Sequence, residues 1–233
     1  MKQYPIYLLD ADDTLFDFQK AERHAFQKTF EAMTGEACTE AAYACYNAIN
    51  SAMWKALERG ELTKPQLQQR RFGVFLEKQG MTGDGVRWNE AYLDRLAEGN
   101  FLFEGAAEVC RKLSERASLY LATNGITRVQ KKRLRDSEIA PYIQEIFVSE
   151  EAGAEKPSSV YFEYVLKQIG NPPKSNVLMV GDSLTSDMAG GYAAGIDTCW
   201  YNPSRKPLPP DRFVTWEISG LFQLLSTEEG NNC

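Results

Sequence analysis

The sequence predicts an α/β fold: a Rossmann-like parallel sheet with helices on both faces, and an all-helical block inserted after the first strand. Three observations predict it. A continuous apolar run, Ile6-Tyr7-Leu8-Leu9, opens the chain and breaks directly into acids; such a run reads as a strand buried on both faces. The stretch 17–99 then carries helical periodicity and no strand. From Glu104 onward, strand and helix alternate, the pattern of parallel strands joined by helical crossovers. The division this gives is an α/β core of residues 1–16 and 100–233 and a helical block of residues 17–99.

Within the block, Phe26, Phe30 and Met33 recur at helical spacing in a helix over Phe18–Thr34. Tyr43, Tyr46, Ile49, Met53 and Trp54 supply the apolar stripe of a second over Glu40–Gly60, with the glycine at its end. Thr63 followed by Pro65 opens a third, which carries Leu67, Phe72, Phe75 and Leu76. A polar break over Gly80–Gly85 precedes a fourth over Trp88–Glu98. In the core, helix Ala106–Glu115 is followed by strand Ser118–Thr123 and helix Thr127–Asp136. Strand Ile146–Val148, helix Ser158–Ile169, strand Val177–Val180 and helix Ser186–Ala194 come next. Strand Thr198–Tyr201, a proline-rich loop over Pro203–Pro210, a strand over Val214–Ile218 and a helix over Leu221–Leu225 complete it, with a frayed polar tail over Glu228–Cys233.

The 233 residues are 43% hydrophobic and 25% charged, enough for a real core and unlike a disordered chain. The net charge of −6 disfavours nucleic-acid binding, and the basic cluster Lys131-Lys132-Arg133 beside Arg128 and Arg135 reads as the solvated face of a helix. Met1–Pro5 leads straight into the first strand and leaves no room for a signal peptide, and no apolar stretch reaches membrane-spanning length. Five scattered cysteines (38, 45, 110, 199 and 233) without a Cys-x-x-Cys pair read as reduced thiols, so a cytoplasmic location is expected. A lone histidine, His24, excludes any mechanism needing two and reads as a surface or packing residue. The oligomeric state, monomer or small homo-oligomer, stays open.

Four places share one edge of the predicted sheet, the carboxyl ends of its strands, where open α/β sheets bind ligands. They are Asp10-Ala11-Asp12, Thr123-Asn124-Gly125, Lys156 in Ala154-Glu155-Lys156-Pro157, and Gly181-Asp182-Ser183 with Asp187 beyond. Burying carboxylates this close together costs free energy unless a cation or donors compensate, so the acids point to a metal and a reaction. Thr123 with the glycine after it offers donors and close backbone access to an anionic oxygen. Each element alone has a plain reading: Asp-Asp-Thr and Asp182 can cap helices, Thr-Asn-Gly can be a turn, and Lys-Pro is common before helices. Their order and placement after successive strands make the set specific.

The chain resembles the phosphatases of the haloacid dehalogenase superfamily with a helical cap, through the opening Asp10-x-Asp12-x-Thr14, Thr123, Lys156 and Gly181-Asp182-x-x-x-x-Asp187. The resemblance implies that Asp10 is the nucleophile that takes the phosphoryl group and that Asp12 is the general acid and base. It implies Mg²⁺, with Mn²⁺ a substitute, held by Asp10, the backbone carbonyl of Asp12, and Asp182, while Asp187 orients metal-bound water or Lys156. Thr123 and the backbone at Asn124 and Gly125 would hold phosphoryl oxygens, and Lys156 would offset their charge. The dehalogenase branch lacks an acid at the position of Asp12, because halide needs no proton; a phosphate ester is therefore favoured, and a phosphomutase retains the same acid. The inserted cap implies a closed pocket and a small metabolite.

Further stretches are similar to the bacterial pyrimidine 5′-nucleotidases that act on non-standard nucleotides. They are Met53-Trp54-Lys55, Gly60-Glu61-Leu62-Thr63, Gln66–Phe72, Ile126-Thr127-Arg128, Val148–Gly153 and Thr198–Asn202, together with Ala11 between the two acids. The resemblance implies release of phosphate from UMP, dUMP, dTMP or modified analogues. Alternatives are a phosphoglycolate or sugar-phosphate phosphatase, a phosphomutase and, in a different class, a non-catalytic phosphate-binding regulator. A receiver-like regulator would carry its acid on a later strand and lack the helical insertion, and an inactive relative should have lost Asp10, Asp12 or Lys156, which are all present. Trp54 reads as core more readily than as a base-stacking residue, Arg71 as a solvated helix residue, Phe16 and Asp17 as pocket residues at the hinge, and Thr185 as a loop hydrogen-bonding or capping residue.

Overall fold

A computed structural model describes residues 1–208 and 213–226. Part of the proline-rich loop and the polar tail over 228–233 lie outside the described residues. Two compact units are present, one of residues 1–18 and 100–233, the other of residues 19–99.

The first unit is built on a six-stranded sheet in which every neighbouring pair is parallel. Its strands are β1 (Ile6–Leu9), β2 (Ser118–Thr123), β3 (Glu145–Val148), β4 (Val177–Gly181), β5 (Asp197–Tyr201) and β6 (Trp216–Ile218), in the order β3-β2-β1-β4-β5-β6. The order reverses at β1, which lies between β2 and β4; such a switch point opens a crevice at the strand carboxyl ends. Successive side chains alternate between faces. Tyr7, Leu9, Leu119, Leu121, Leu178 and Val180 enter one hydrophobic cluster. Leu8, Ala122, Val177 and Met179 enter another. With both faces covered, the strands must be apolar throughout, and this is why they read as continuous runs.

The helices of this unit are α5 (Ala106–Ser114), α6 (Thr127–Arg135), α7 (Ser149–Ala152), α8 (Ser159–Gln168) and α9 (Ala189–Ala194). Helix α5 buries Val109, Cys110 and Leu113 in the first cluster; α8 buries Tyr161, Phe162 and Val165 in the second. The expected helix over Ser186–Ala194 divides. A π-helical turn spans Leu184–Met188, and regular α-helix begins only at Ala189. The last expected strand shortens to Trp216–Ile218, and Leu221–Leu225 is 3₁₀ rather than α-helical.

The second unit holds most of α1 (Phe18–Thr34), with α2 (Glu40–Glu58), α3 (Lys64–Lys78) and α4 (Gly85–Leu96). Thr39 caps α2, and Asp84 caps α4 earlier than the apolar pattern suggested. Thr63 and Gln66 form a capping box at α3, with Pro65 in its first turn. The core is aromatic: Phe26 stacks on Tyr46 at 4.3 Å between centroids, and Tyr46 stacks on Phe72 at 5.1 Å. Trp54 is half-buried outside these rings.

Arg71 departs from the expected solvated residue. It is 1% exposed, donating from Nε to Asn89 Oδ1 at 2.8 Å and from Nη1 to Asn50 Oδ1 at 3.2 Å. Asn50 in turn donates to buried Glu22 at 2.6 Å, which also accepts from Asn47 at 2.8 Å. A chain of polar partners thus carries a charge into an aromatic bundle, where it would otherwise be costly. His24 is exposed.

Candidate active site

The expected residues at the carboxyl ends of β1, β2 and β4 come together in the first unit. Asp10 follows β1 and is 7% exposed. Its Oδ1 accepts from Lys156 Nζ at 2.6 Å, and its Oδ2 accepts from Thr14 Oγ1 at 3.3 Å. Lys156 is 2% exposed, and its ammonium also donates to Asp187 Oδ1 and to the Ala122 carbonyl, each at 2.6 Å. All three ammonium protons are therefore engaged. Asn124 fixes the lysine backbone from both sides: Lys156 N–H donates to its Oδ1 at 2.8 Å, and its Nδ2 donates to the Lys156 carbonyl at 2.9 Å.

Thr123 is buried, and its Oγ1 accepts from Gly125 N–H at 3.0 Å. A Cβ on Gly125 would stand 2.2 Å from Gln130 Nε2, so any larger residue there would displace the Gln130 side chain. Gly181 is similarly confined, since a Cβ would come 2.1 Å from Asp187 Oδ2. The same carboxylate accepts from Ser183 N–H at 3.2 Å. Asp187 lies in the π-helical turn, and such turns recur at functional sites. The Asp182 carbonyl accepts from Trp200 Nε1 at 2.8 Å, while Thr185 shares a hydrogen bond with Ser183.

Asp10, Asp182 and Asp187 each bring a carboxylate oxygen within 4.8 Å of the others. This all-oxygen donor set suits a hard divalent cation. Electrostatics points the same way. Burial pushes the Asp10 carboxyl well above the ordinary range; Lys156 opposes this, while Asp187 and Asp182 add to it. Burial, with Asp187 and Asp13, pushes Asp182 up to about 7. Burial also pulls on the Lys156 ammonium, but Asp10 and Asp187 outweigh it and hold its pKa above the usual lysine value. Three acids face one ammonium, and a bound cation would neutralise the excess.

The sign of the linkage is set by these raised values. Between the ordinary carboxylate value and about 7, the folded metal-free protein binds more protons than the unfolded chain. Asp10 and Asp182 therefore lower its stability as pH rises through that window. The melting temperature of metal-free protein is expected to fall between about pH 5 and about pH 7.5, and Asp182→Asn to flatten the slope. Added Mg²⁺ should raise it more at the higher pH. A wild-type melting temperature no lower at the higher pH would refute this account.

Asp12 occupies a different setting. Its Oδ1 accepts from Arg133 Nη1 and its Oδ2 from Gln130 Nε2, both from α6. Arg133 is fully buried, with its guanidinium 4.7 Å from the Phe16 ring centroid. This corrects the sequence reading of the basic cluster as wholly solvated. Gln130 and Arg133 are site residues that sequence reasoning missed. One signal was available: Val129, Gln130 and Arg133 lie at spacings of three and four, on the face that α6 buries.

The family model described as haloacid dehalogenase-like hydrolase matches residues 4–195. The chain is 39% identical to the HAD-hydrolase YfnB of Bacillus subtilis (strain 168), covering 100% of both chains. It is 36% identical to pyrimidine 5′-nucleotidase PynA of Streptococcus pneumoniae (strain ATCC BAA-255 / R6), over 98% of this chain and 96% of the other. It is 34% identical to pyrimidine 5′-nucleotidase YjjG of Escherichia coli (strain K12), over 92% and 93%. A crystal structure of Bacillus subtilis YfnB bound to magnesium superimposes with a TM-score of 0.89 at 40% identity, covering 96% of this chain and 97% of that one.

Proposed function

Because this chain belongs to the haloacid dehalogenase-like hydrolase family, we propose that it is a Mg²⁺-dependent pyrimidine nucleoside 5′-monophosphate phosphatase working through an aspartyl phosphate. The observation that carries the phosphatase reading is the buried Asp10–Lys156–Asp187 cluster beside Asp182, at the switch point of the sheet. The pyrimidine nucleotide reading is supported by the two nucleotidases that align over more than nine-tenths of the chain.

Asp10, Asp182 and the Asp12 carbonyl would hold Mg²⁺, with Asp187 within reach. Bound there, the ion would neutralise phosphoryl charge. Lys156 orients Asp10 by a short hydrogen bond to Oδ1, and Thr14 holds Oδ2 by a longer one, which leaves Oδ2 the oxygen to attack. That oxygen forms a bond to phosphorus while the bond from phosphorus to the ester oxygen breaks. Asp12 gives its proton to the departing nucleoside oxygen. Water then attacks phosphorus, passing a proton to Asp12; the Asp10–phosphorus bond breaks and inorganic phosphate leaves. Thr123 Oγ1, which accepts from Gly125 N–H and keeps its own proton to donate, and the backbone at Asn124 and Gly125 would face phosphoryl oxygens. Residues 17–99 would serve as a cap that excludes water and selects the leaving nucleoside.

The test is phosphate release from a panel of pyrimidine and purine monophosphates, phosphoglycolate and sugar phosphates, with Mg²⁺ or chelator. Turnover of UMP, dUMP or dTMP at least about tenfold above AMP is expected. Preference for phosphoglycolate or a sugar phosphate would remove the nucleotidase assignment and keep the phosphatase. Conversion of a phosphosugar without phosphate release would indicate a mutase.

A further inference from the structure

We infer that α6 is a positioning element for the general acid, with Gln130 and Arg133 together fixing the direction in which the Asp12 carboxyl points. The inference rests on the reading of Asp12 as acid and base given above. Both carboxyl oxygens of Asp12 are taken by α6, one by each residue. The two donors are buried, Gln130 at 2% exposure and Arg133 at 0%. Neither is a surface ion pair free to reorient, and each has a second contact that sets its place. Gln130 packs over Gly125, leaving no room for a Cβ, and Arg133 lies over the Phe16 ring.

The helix itself is braced from its other side. Glu150 Oε2 accepts from Thr127 N–H at 2.7 Å and from Thr127 Oγ1 at 2.6 Å, at the start of α6. This supplies the cap that its own N-cap residue, Ile126, has no polar side chain to give. Lys131 pairs with Glu151 along the same side. The segment after β3 thus anchors α6 and, through it, Asp12. Ile126–Arg128 and Val148–Gly153, two of the stretches quoted above for their resemblance, contain the two ends of this brace.

A proton donor acts only when aimed at the leaving oxygen. A loosened Asp12 should therefore harm esters that need protonation far more than esters that do not. The variants are Arg133→Met and Gln130→Met, the second removing a neutral donor at nearly constant volume. The control is Asp12→Asn. Each is assayed for kcat/KM on UMP, whose alkoxide leaving group needs a proton, and on p-nitrophenyl phosphate, whose phenolate leaves without one. The UMP to aryl phosphate ratio is expected to fall about a hundredfold in Arg133→Met and about tenfold in Gln130→Met, in the same direction as in Asp12→Asn. A merely structural role would lower both substrates together and leave the ratio unchanged. An unchanged ratio in Gln130→Met and in folded Arg133→Met, beside a lowered ratio in Asp12→Asn, overturns the inference and leaves the reading of Asp12 intact. An unchanged ratio in Asp12→Asn overturns that reading and, with it, the inference.

Discussion

Asp10→Asn is expected to abolish turnover, with a loss of at least about 10⁴-fold in kcat on any substrate the wild type accepts, the scale on which removal of a nucleophile acts. The expected cause is chemical. The amide oxygen can still accept from Lys156 Nζ in the place of Oδ1, and the amide nitrogen takes the place of Oδ2, where the Thr14 hydroxyl can turn to accept from it, so the geometry should persist. The amide cannot form the acyl phosphate. The substitution also removes one negative charge from a cluster in which burial and neighbouring acids already push the Asp10 carboxyl upward. Its melting temperature should therefore equal or exceed that of the wild type. Phosphate release and acid-quench trapping of a protein-bound phosphoryl group check the two parts. Turnover within a hundredfold of wild type, or a phosphoryl group trapped on the Asp10→Asn variant, would remove Asp10 from the nucleophile's role.

Lys156→Met is expected to cost about 3–5 kcal/mol of stability at neutral pH, besides abolishing turnover. The ammonium is the direct partner of Asp10 and of Asp187, each at 2.6 Å, and neither acid is more than a tenth exposed. Its removal leaves buried carboxylates facing one another without compensation. They can persist only by binding protons, so the deficit should shrink as the pH falls. Lys156→Arg is not expected to restore the protein. The cavity fits a point charge with three acceptors around it, and a planar fork has a different shape. Urea denaturation at neutral and acidic pH measures the effect; a neutral-pH deficit below about 1 kcal/mol would show that the cluster does not depend on its cation.

Much of this architecture is legible in the residues because its physical causes are local. Strands β1 and β4 are covered on both faces, so they appear as unbroken apolar runs that stop where the acids begin. Thr63 with Pro65 signals the start of α3 by chemistry that acts within one turn. The motif residues stand after successive strands, and the parallel topology alone then brings Asp10, Thr123 and Asp182 to one edge. The features that escaped arise elsewhere. Helix α7 has only four residues, too few for any periodicity. The π-helical turn places Asp187 by an extra residue per turn, which composition does not signal. The charge of Arg71 and Arg133 predicts solvent exposure. What buries them is a distant partner, Asn50 and Asn89 for one and Asp12 for the other.

The backbone at the base of the insertion has a consequence for how the sheet can assemble. Asp17 N–H donates to the Phe101 carbonyl at 2.9 Å, and Phe103 N–H to the Leu15 carbonyl at 2.9 Å, with Phe16 and Leu102 bridged antiparallel between them. Strands β1 and β2 are paired although roughly 110 residues separate Ile6 from Ser118. Once this short ribbon zips, the search for that pairing no longer spans the insert; it spans the turn after β1 on one side and helix α5 on the other. The entropic penalty of the long closure then falls on the ribbon, which itself joins residues on the two sides of the insert, and the β1–β2 pairing that follows acquires the kinetics of a nearer one.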